Sequence, residues 1–338
     1  MMIGYLNISN FGPIRSLQAQ GLKNINLIIG RNGKGKTFLL KALYSAVKTT
    51  EQYKRGKEQR SVAELLHDKL YWTFQPEKIG DLVRKGEAKL EMEIKMNNEE
   101  ERMNFSFGPS TMKSITNVTN TVIPVSTNSI FLPAKEILSL QNIIKESRSD
   151  RYNEFGFDDT YYDLACALVP STKGKNYKAF SSARENLGKA IDGKIEFNRD
   201  KNEWYFKDKG NRVYSIGMTA EGIKKIAILD ALLGNHYLSK ESIVFIDEPE
   251  ANLHPELVSK LMDIIFMLSE IGIQFFIATH SYFVIKKMYL LAHQKNMAIP
   301  ILSLEDDNEW KQYDLKEEMP ENPIIEESVR LYTEEIDL

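Results

Sequence analysis

Apolar and polar residues follow two periods along this chain, and each period predicts one class of element. Alternation at every second residue predicts strands at 3–8, 87–96 and 102–107, with a hairpin turn at 97–101. Apolar positions about 3.6 residues apart predict helices, and short unbroken apolar runs predict strands buried on both faces. The elements expected after residue 192 are a β-meander at 193–216, a helix at 219–233, a strand at 242–247, a helix at 255–270, a strand at 273–278 and a helix at 281–294. This succession predicts right-handed crossovers and a parallel sheet.

The first half of the chain has a less regular order of expected elements. They are a strand at 25–29, a helix from residue 38 onward, a loop and a short helix within 49–68, a strand turning into a helix at 129–138, and helical periodicity over 135–192 with a loop at 148–159. We find no repeat of fixed period, so neither a solenoid nor a long coiled coil is expected.

Composition excludes several classes of protein. The 338 residues are 42% hydrophobic and 27% charged, which is typical of a globular chain. A net charge of −3 gives no overall positive field that would attract nucleic acid or an anionic membrane. No apolar run reaches the roughly 18 residues of a membrane span, and the N-terminus lacks a secretion signal, so a cytoplasmic location is expected. The single cysteine, Cys166, is interpreted as a buried apolar side chain, not as a nucleophile.

Residues 28–43 contain the pattern G-x-x-x-x-G-K-T between the apolar run at 25–29 and a helix. Glycines let backbone N–H groups converge on an anion, and the helix N-terminus adds partial positive charge. Lys36 is expected to reach the β- and γ-phosphates of a nucleotide, and the Thr37 hydroxyl to bind Mg²⁺. The predicted nucleotide-binding residues are Gly30, Arg31, Asn32, Gly33, Lys34, Gly35, Lys36, Thr37 and Phe38.

Two adjacent acids end the apolar strand at 242–247. Ligand sites of open α/β sheets lie at the carboxyl ends of the strands, so Asp247 and Glu248 are expected near the phosphates. Asp247 is predicted to hold Mg²⁺, and Glu248 to orient or deprotonate the attacking water. His280 ends the next strand and is predicted to bind the γ-phosphate, whereas His67 and His254 have no such context.

Taken together, GRNGKGKT, VFIDEPEANLHP and FFIATHS resemble the ABC/SMC-type ATPase head. More narrowly, they are similar to the bacterial AAA ATPase group related to OLD-family and RecF-like proteins, and the opening ISNFGPI also fits. The resemblance implies an α/β P-loop NTPase fold, with a mixed sheet around the phosphate-loop helix plus a helical and β lobe. It divides the chain into ATPase lobe I (1–134), a helical insertion and β-meander (135–216), ATPase lobe II (217–305) and an acidic tail helix (306–338).

Family members pack two heads head to tail, with two ATP molecules between them. The resemblance therefore implies a homodimer or higher oligomer, in which the loop at 249–254 communicates across the dimer. The signature that would face the partner's γ-phosphate corresponds to 215–229, with Thr219, Ala220 and Gly222 as its residues. Thr219 is predicted to cap the following helix. Glu221 departs from the family pattern by placing a negative charge near an anion, so it is expected either to point away or to cap the helix as a structural residue. The departure argues against strong ATP-driven closure and fast turnover, and slow turnover without a partner is expected.

Family members also use a glutamine that couples Mg²⁺ to the helical lobe. Gln75 and Gln141 are the candidates here, and Gln141 is preferred because it follows the strand predicted at 129–138. The cofactors implied are ATP and Mg²⁺.

The leading hypothesis is Mg²⁺-dependent ATP hydrolysis by a dimerising head that acts as a switch. By resemblance to OLD-like proteins, it would serve a nuclease or toxin effector in trans, in anti-phage defence. Too few residues follow 294 for an effector domain within the chain, and no zinc spacing is present. The apolar positions of 315–338 fit either a partner-docking helix or a terminal helix packed on its own domain.

The alternative is a RecF-like, ATP-gated DNA-binding protein in DNA repair. Lysines and arginines at 53–60 and 173–184 could contact DNA phosphates, although acidic residues dilute both runs. A transporter subunit is disfavoured because the signature departs from the family pattern and the 49–192 insertion is large. A small-molecule kinase is disfavoured because Glu248 suits the activation of water.

Overall fold

The structure, a computed structural model, describes residues 1–148, 156–168, 178–198, 200–305 and 309–338. Its strands form three sheets in these ranges: one of six strands, one of five and one of three. No helix in these ranges is long and apolar enough to cross a bilayer.

The six-stranded sheet contains the strand before the glycine-rich turn, the strand that ends at Asp247 and the strand that precedes His280. Its order is β14-β13-β3-β12-β11-β7, and all neighbours are parallel except β13 and β14. Its strands are β3 (Ile25–Ile29), β7 (Ile130–Leu132), β11 (Ile243–Asp247), β12 (Gln274–Thr279), β13 (Pro300–Leu304) and β14 (Trp310–Asp314). Because β3, β11 and β12 are parallel, the predicted site residues that follow them meet at one edge of the sheet.

An antiparallel sheet of order β2-β1-β4-β5-β6 lies beside this one. Its strands are β1 (Ile3–Phe11), β2 (Ile14–Gln20), β4 (Leu90–Met96), β5 (Arg102–Phe107) and β6 (Asn117–Asn120). Side chains alternate between buried and accessible along β4, as expected for a strand with one face on a core.

Helix α1 (Lys36–Gln52) lies between the two sheets and shares one core with both. Leu39 and Leu43 of α1 are buried in the same cluster as Phe245 and Phe276 of the six-stranded sheet and Ile94 of the five-stranded one. This position fixes the N-terminus of α1 against the sheet edge. Helix α2 (Val62–Phe74) packs on α1 and begins at a Ser61–Glu64 capping box.

A second core covers the opposite face of the six-stranded sheet, where Val244 and Ile246 point. The helices on this side are α3 (Gln141–Glu146), α4 (Asp159–Ala167), α5 (Lys178–Ala190), α6 (Glu221–Gly234), α7 (Pro255–Ile271) and α8 (Tyr282–Lys295). The three-stranded sheet joins them; its strands are β8 (Gly193–Asn198), β9 (Glu203–Asp208) and β10 (Val213–Ser215).

Most of the expected elements are confirmed, and the mixed α/β class is confirmed with them. Strands β2, β6, β13 and β14 had no counterpart in the predicted pattern. Cys166 is exposed, so its interpretation as a buried side chain is wrong. In the predicted loop at 148–159, residues 149–155 lie outside the described residues.

The predicted tail helix exists as α9 (Pro323–Ile336), which has no fully buried residue. Ile324 and Ile325 near its start pack against the second core, whereas Val329, Tyr332 and Ile336 are exposed. The helix is therefore attached to its own domain at one end and presents apolar residues to solvent along the rest.

Candidate functional site

The glycine-rich turn joins β3 to α1 and folds as a loop around the helix N-terminus. Gly35 is the N-cap of α1 and has φ 101°, a left-handed conformation that favours glycine. A Cβ at this position would lie 2.9 Å from Pro13 Cγ in the β1–β2 turn. Glycine thus satisfies both the backbone geometry and the close contact, and α1 directs its first N–H groups into the loop.

Lys36 is buried at the first position of α1. Its ammonium donates hydrogen bonds to the carbonyl oxygens of Gly30, at 2.7 Å, and of Arg31, at 3.0 Å. Burial lowers the pKa of Lys36, while the nearby Glu248 and Asp247 carboxylates oppose that shift. The cation therefore lies across the loop and is available to an anion that replaces the two carbonyls.

Thr37 and Asp247 meet between α1 and the end of β11. The Thr37 hydroxyl lies 3.0 Å from Asp247 Oδ1 and 2.9 Å from Oδ2. Burial raises the pKa of Asp247, and the bond from Thr37 works against that shift. A hydroxyl and a carboxylate at one point form the oxygen donor set that Mg²⁺ prefers.

Glu248 and His280 face each other at the ends of β11 and β12. His280 Nδ1 lies 3.2 Å from Glu248 Oε1, and both side chains are partly exposed. Glu248 has φ 48°, which is rare for a residue with a side chain, and its N–H donates to Ala278 O at 2.9 Å. Parallel pairing of the two strands brings these residues together, as the sequence predicts.

Glu250 is a third acid at this edge that the sequence interpretation missed. Its Oε1 accepts hydrogen bonds from Thr279 Oγ1, at 2.7 Å, and from the N–H of His280, at 3.2 Å. Its Oε2 is buried and has no hydrogen-bond partner in the described part of the chain. The sequence had placed it only within the loop at 249–254, without a role at this edge.

A cavity of about 540 Å³ opens at the N-terminus of α1, a volume typical of small-molecule sites. Its lining residues are Pro13, Asn32, Gly33, Gly35, Lys36, Thr37, Phe38, Lys41, Thr73, Phe74, Gln75, Asp158 and Glu248. Lys34 lines a separate cavity of about 790 Å³. Lys41 and Asp158 were not predicted; their side chains form an ion pair of 2.6 Å that joins α1 to the start of α4.

The structure separates the two candidate glutamines. Gln75 lines the cavity, and its Nε2 is buried without a hydrogen-bond partner among the described residues. Gln141 donates to Ala165 O, at 2.7 Å, and to Leu168 O, and accepts from Trp204 Nε1 at 2.7 Å. The preference for Gln141 as a metal-coupling residue is therefore wrong, because the helical lobe uses its amide completely.

The predicted signature segment starts α6, with a different cap from the one expected. Ala220 is the N-cap residue and makes no side-chain capping bond, whereas Thr219 Oγ1 donates to Ser215 O at 3.2 Å. The prediction that Thr219 caps the helix is wrong. Glu221 pairs with Lys224 at 2.7 Å, so its charge is partly compensated within α6.

Gly222 has a packing role within its own chain. A Cβ there would lie 2.6 Å from Asn252 O and 2.6 Å from Leu253 Cδ2. Glycine therefore allows the first turn of α6 to contact the loop that follows Glu248.

Comparisons with known proteins agree with this architecture. Residues 124–286 match the family model described as "AAA domain, putative AbiEii toxin, Type IV TA system". A search of curated protein sequences found no match. A solved SMC head bound to the C-winged helix domain of ScpA is 16% identical, with 94% of this chain and 99% of that chain covered and a TM-score of 0.54. The Pyrococcus furiosus SMC head with an extended coiled coil, bound to the C-terminal domain of ScpA, is 14% identical, with 100% of both chains covered and a TM-score of 0.53. The chain therefore has the mixed α/β fold of the P-loop domains found in SMC heads.

Proposed function

We propose that this protein binds ATP with Mg²⁺ and hydrolyses it to ADP and phosphate. The observation that carries the proposal is the contact of Asp247 with Thr37, a residue that lines one cavity together with Lys36 and Glu248. These four residues come from two distant parts of the chain, 36–37 and 247–248. Each is of the type that phosphoryl transfer to water requires.

The glycine-rich loop binds the triphosphate. Backbone N–H groups at the start of α1 donate to phosphate oxygens, and the Lys36 ammonium exchanges its two carbonyl partners for them. Thr37 and Asp247 hold Mg²⁺, with Gln75 in the wall of the same cavity. When bound, the ion offsets the negative charge that develops on the transferred phosphoryl group.

Glu248 orients the attacking water and accepts its proton. Its carboxylate lines the phosphate cavity, and His280 Nδ1 is within 3.2 Å of it. His280 thereby fixes the direction of the carboxylate and can also donate a hydrogen bond to the γ-phosphate. Glu250 holds the backbone of His280 in place.

We further propose that two heads associate head to tail around the nucleotide and act on an effector protein in trans. The support is the SMC-head fold, together with the partner domains present in both similar structures. The description of the family model that matches 124–286 names a toxin. This favours a role in defence for the proposed ATP-dependent dimer. Turnover by the isolated chain is then slow and rises with the partner.

A DNA clamp has less support. Within 53–60, Arg55 donates to Asn128 and Arg60 pairs with Glu58, so both guanidinium groups are engaged inside the chain. Arg184 pairs with Asp230, and residues 173–177 of the second basic run lie outside the described residues.

Two substitutions test the proposed hydrolysis. Lys36→Ala should abolish MgATP binding in calorimetry, and Glu248→Gln should bind MgATP normally while losing at least about 10²-fold in phosphate release. Lys260→Ala, which removes an exposed lysine on α7, is the control and should behave as the wild type. Wild-type turnover in either site variant would refute the proposal.

A further inference from the structure

Lys225 on α6 is a buried lysine that none of the roles above uses. Its side chain is 9% exposed, and its ammonium donates hydrogen bonds to the main-chain oxygen of Glu248 and, at 3.4 Å, to Ala134 O. Ala134 follows β7, the strand that pairs with β11. One cation thus connects α6 with the turns after two neighbouring strands.

The neighbouring Lys224 shows what a purely structural lysine looks like here. It is also buried, and it pairs with the carboxylates of Glu136, at 3.2 Å, and Glu221. Lys225, by contrast, makes its described hydrogen bonds to two carbonyl oxygens. Burial lowers the pKa of Lys225 to about 8, with Glu250, Asp247 and Glu248 opposing the shift. A buried ammonium without a bonded carboxylate is costly, so this lysine is expected to do something other than stabilise the fold.

The backbone of Glu248 supplies that reason. Its left-handed conformation persists only where surrounding groups hold it. Its N–H is held by Ala278 O of β12, and its carbonyl is held by the Lys225 ammonium. The two bonds fix both peptide planes that flank the Glu248 Cα, and they therefore fix the direction in which the side chain leaves.

We infer that Lys225 is a positioning residue, which sets the direction of the Glu248 carboxylate by holding its main-chain oxygen. The inference rests on the proposed hydrolysis, because it matters only if Glu248 acts on water. The ammonium bonds main-chain oxygens, so it is not itself catalytic. A displacement of about 1 Å at such a group lowers turnover about 10²-fold without a comparable loss of binding.

The contact also links two parts of the proposed dimer. Gly222, three residues before Lys225, packs on Asn252 and Leu253 of the loop after Glu248. The start of α6 and the acid-bearing turn are therefore held together at two points. A shift of the signature segment would move the carbonyl that Lys225 holds.

The test uses Lys225→Met, which removes the donor, and Lys225→Arg, which retains one. Lys224→Met is the matched control, because it removes an adjacent buried lysine that does not contact Glu248. We expect Lys225→Met to bind MgATP within about twofold of the wild type while its single-turnover hydrolysis falls about 10²-fold. Lys225→Arg should recover at least tenfold of that loss, and Lys224→Met should hydrolyse within about threefold of the wild type.

Glu248→Gln in the same assay separates this inference from the proposed function. If Glu248→Gln is slow while Lys225→Met keeps the wild-type rate, only the positioning role is overturned. If Glu248→Gln also keeps the wild-type rate, both proposals fail. Equal losses in Lys225→Met and Lys224→Met, or no recovery in Lys225→Arg, would also overturn the positioning role of Lys225. If Lys225→Met does not fold, the same criteria apply to Lys225→Gln, whose shorter amide cannot span the distance to the carbonyl.

Discussion

At the level of single residues, the two candidate glutamines differ in how completely their buried amides are bonded. Gln75 Nε2 and Glu250 Oε2 are buried without partners among the described residues, whereas the Gln141 amide uses both its nitrogen and its oxygen. Native proteins rarely leave buried polar atoms unpaired, so those that remain commonly mark a place for a ligand. Gln75 lines the cavity with an unpaired amide nitrogen, whereas the Gln141 amide is bonded within its own chain.

This contrast predicts opposite effects for the two glutamines. Gln75→Ala removes no internal hydrogen bond of Nε2, so we expect a melting temperature close to that of the wild type. We also expect at least about a tenfold rise in the Mg²⁺ concentration for half-maximal hydrolysis, because the substitution removes Oε1 of the same amide from the wall of the cavity that Thr37 lines. Gln141→Ala should instead cost about 2–4 kcal/mol in urea unfolding, because Trp204 and two carbonyls lose their partner. A destabilised Gln75→Ala with unchanged Mg²⁺ dependence would contradict this assignment.

The sequence could predict those site residues whose spacing along the chain is itself diagnostic. Lys36 and Thr37 belong to one loop, and Asp247 and Glu248 end one apolar run. The sequence could not predict that Asp158 and Lys225 lie at the site, nor that Gln75 rather than Gln141 lines the cavity. These residues reach the site only through the packing of helices from other parts of the chain. The prediction that Thr219 caps α6 was wrong for a local reason, because the Thr219 hydroxyl donates to the main-chain oxygen of Ser215.

At the level of elements, charged contacts attach the helical lobe to the phosphate-loop side of the molecule. Lys41 of α1 pairs with Asp158 at the cavity, and Lys69 of α2 pairs with Asp159, at 2.7 Å, and Asp163, at 2.9 Å. Tyr44 of α1 also donates to Asp163. Helix α4 is therefore held against α1 and α2 by a buried ionic cluster beneath the site.

Removing the central cation of this cluster should be costly. Within the described ranges, Lys69→Met leaves Asp163 without a cation and Asp159 with Arg148 alone, so we expect a loss of about 3–5 kcal/mol in unfolding free energy at pH 7. Burial raises the pKa of Asp159 even in the wild type, against the pull of Lys69. Without Lys69 the folded-state pKa rises further, and protonation then favours the folded state. The deficit relative to the wild type should therefore shrink as the pH falls toward 5.

Urea unfolding at pH 7 and pH 5 measures this effect. Lys95→Met provides the control, because the Lys95–Glu99 pair lies at the surface, where solvent screens the two charges and the pair contributes little to stability. A Lys69→Met deficit as small as that of the control would show that the cluster does not hold α4.

Element order in the second half was predictable because the parallel strands are unbroken apolar runs between helices of clear period. Strands β13 and β14 were missed for the opposite reason. β13 is a short run of five residues after a helix, and β14 has only partly buried or exposed residues. Both owe their pairing to the sheet edge beside β3, which no local pattern reveals.

At the level of the whole molecule, the position of the signature segment favours action on a second chain. Among the described residues, those that line the cavity at the start of α1 include none from 215–229. Within that segment Met218 is 80% exposed, which is unusual for a large apolar side chain. A head-to-tail pair would cover Met218 and bring the N-terminus of α6 to the partner's nucleotide.

This geometry predicts an ATP-dependent dimer that hydrolysis normally dissolves. Glu248→Gln should retain the triphosphate, so its molar mass by light scattering should double with MgATP and remain that of a monomer with MgADP. The γ-phosphate is the group that both chains would contact, which explains the expected difference between the two nucleotides. Adding Lys36→Ala to Glu248→Gln should abolish dimerisation, because the nucleotide itself forms part of the interface.

Met218 allows the interface to be tested without altering the cavity. Met218→Asp in the Glu248→Gln background places a charge on the surface that the partner would bury, and burying an unpaired charge is strongly unfavourable. Binding of MgATP should persist in this variant, because no residue of the phosphate loop changes. The dimer should weaken by at least about tenfold in its dissociation constant, since roughly 1.4 kcal/mol suffices for that factor. A dimer that forms equally well with this substitution would place the interface on another face, even if hydrolysis proceeds as proposed.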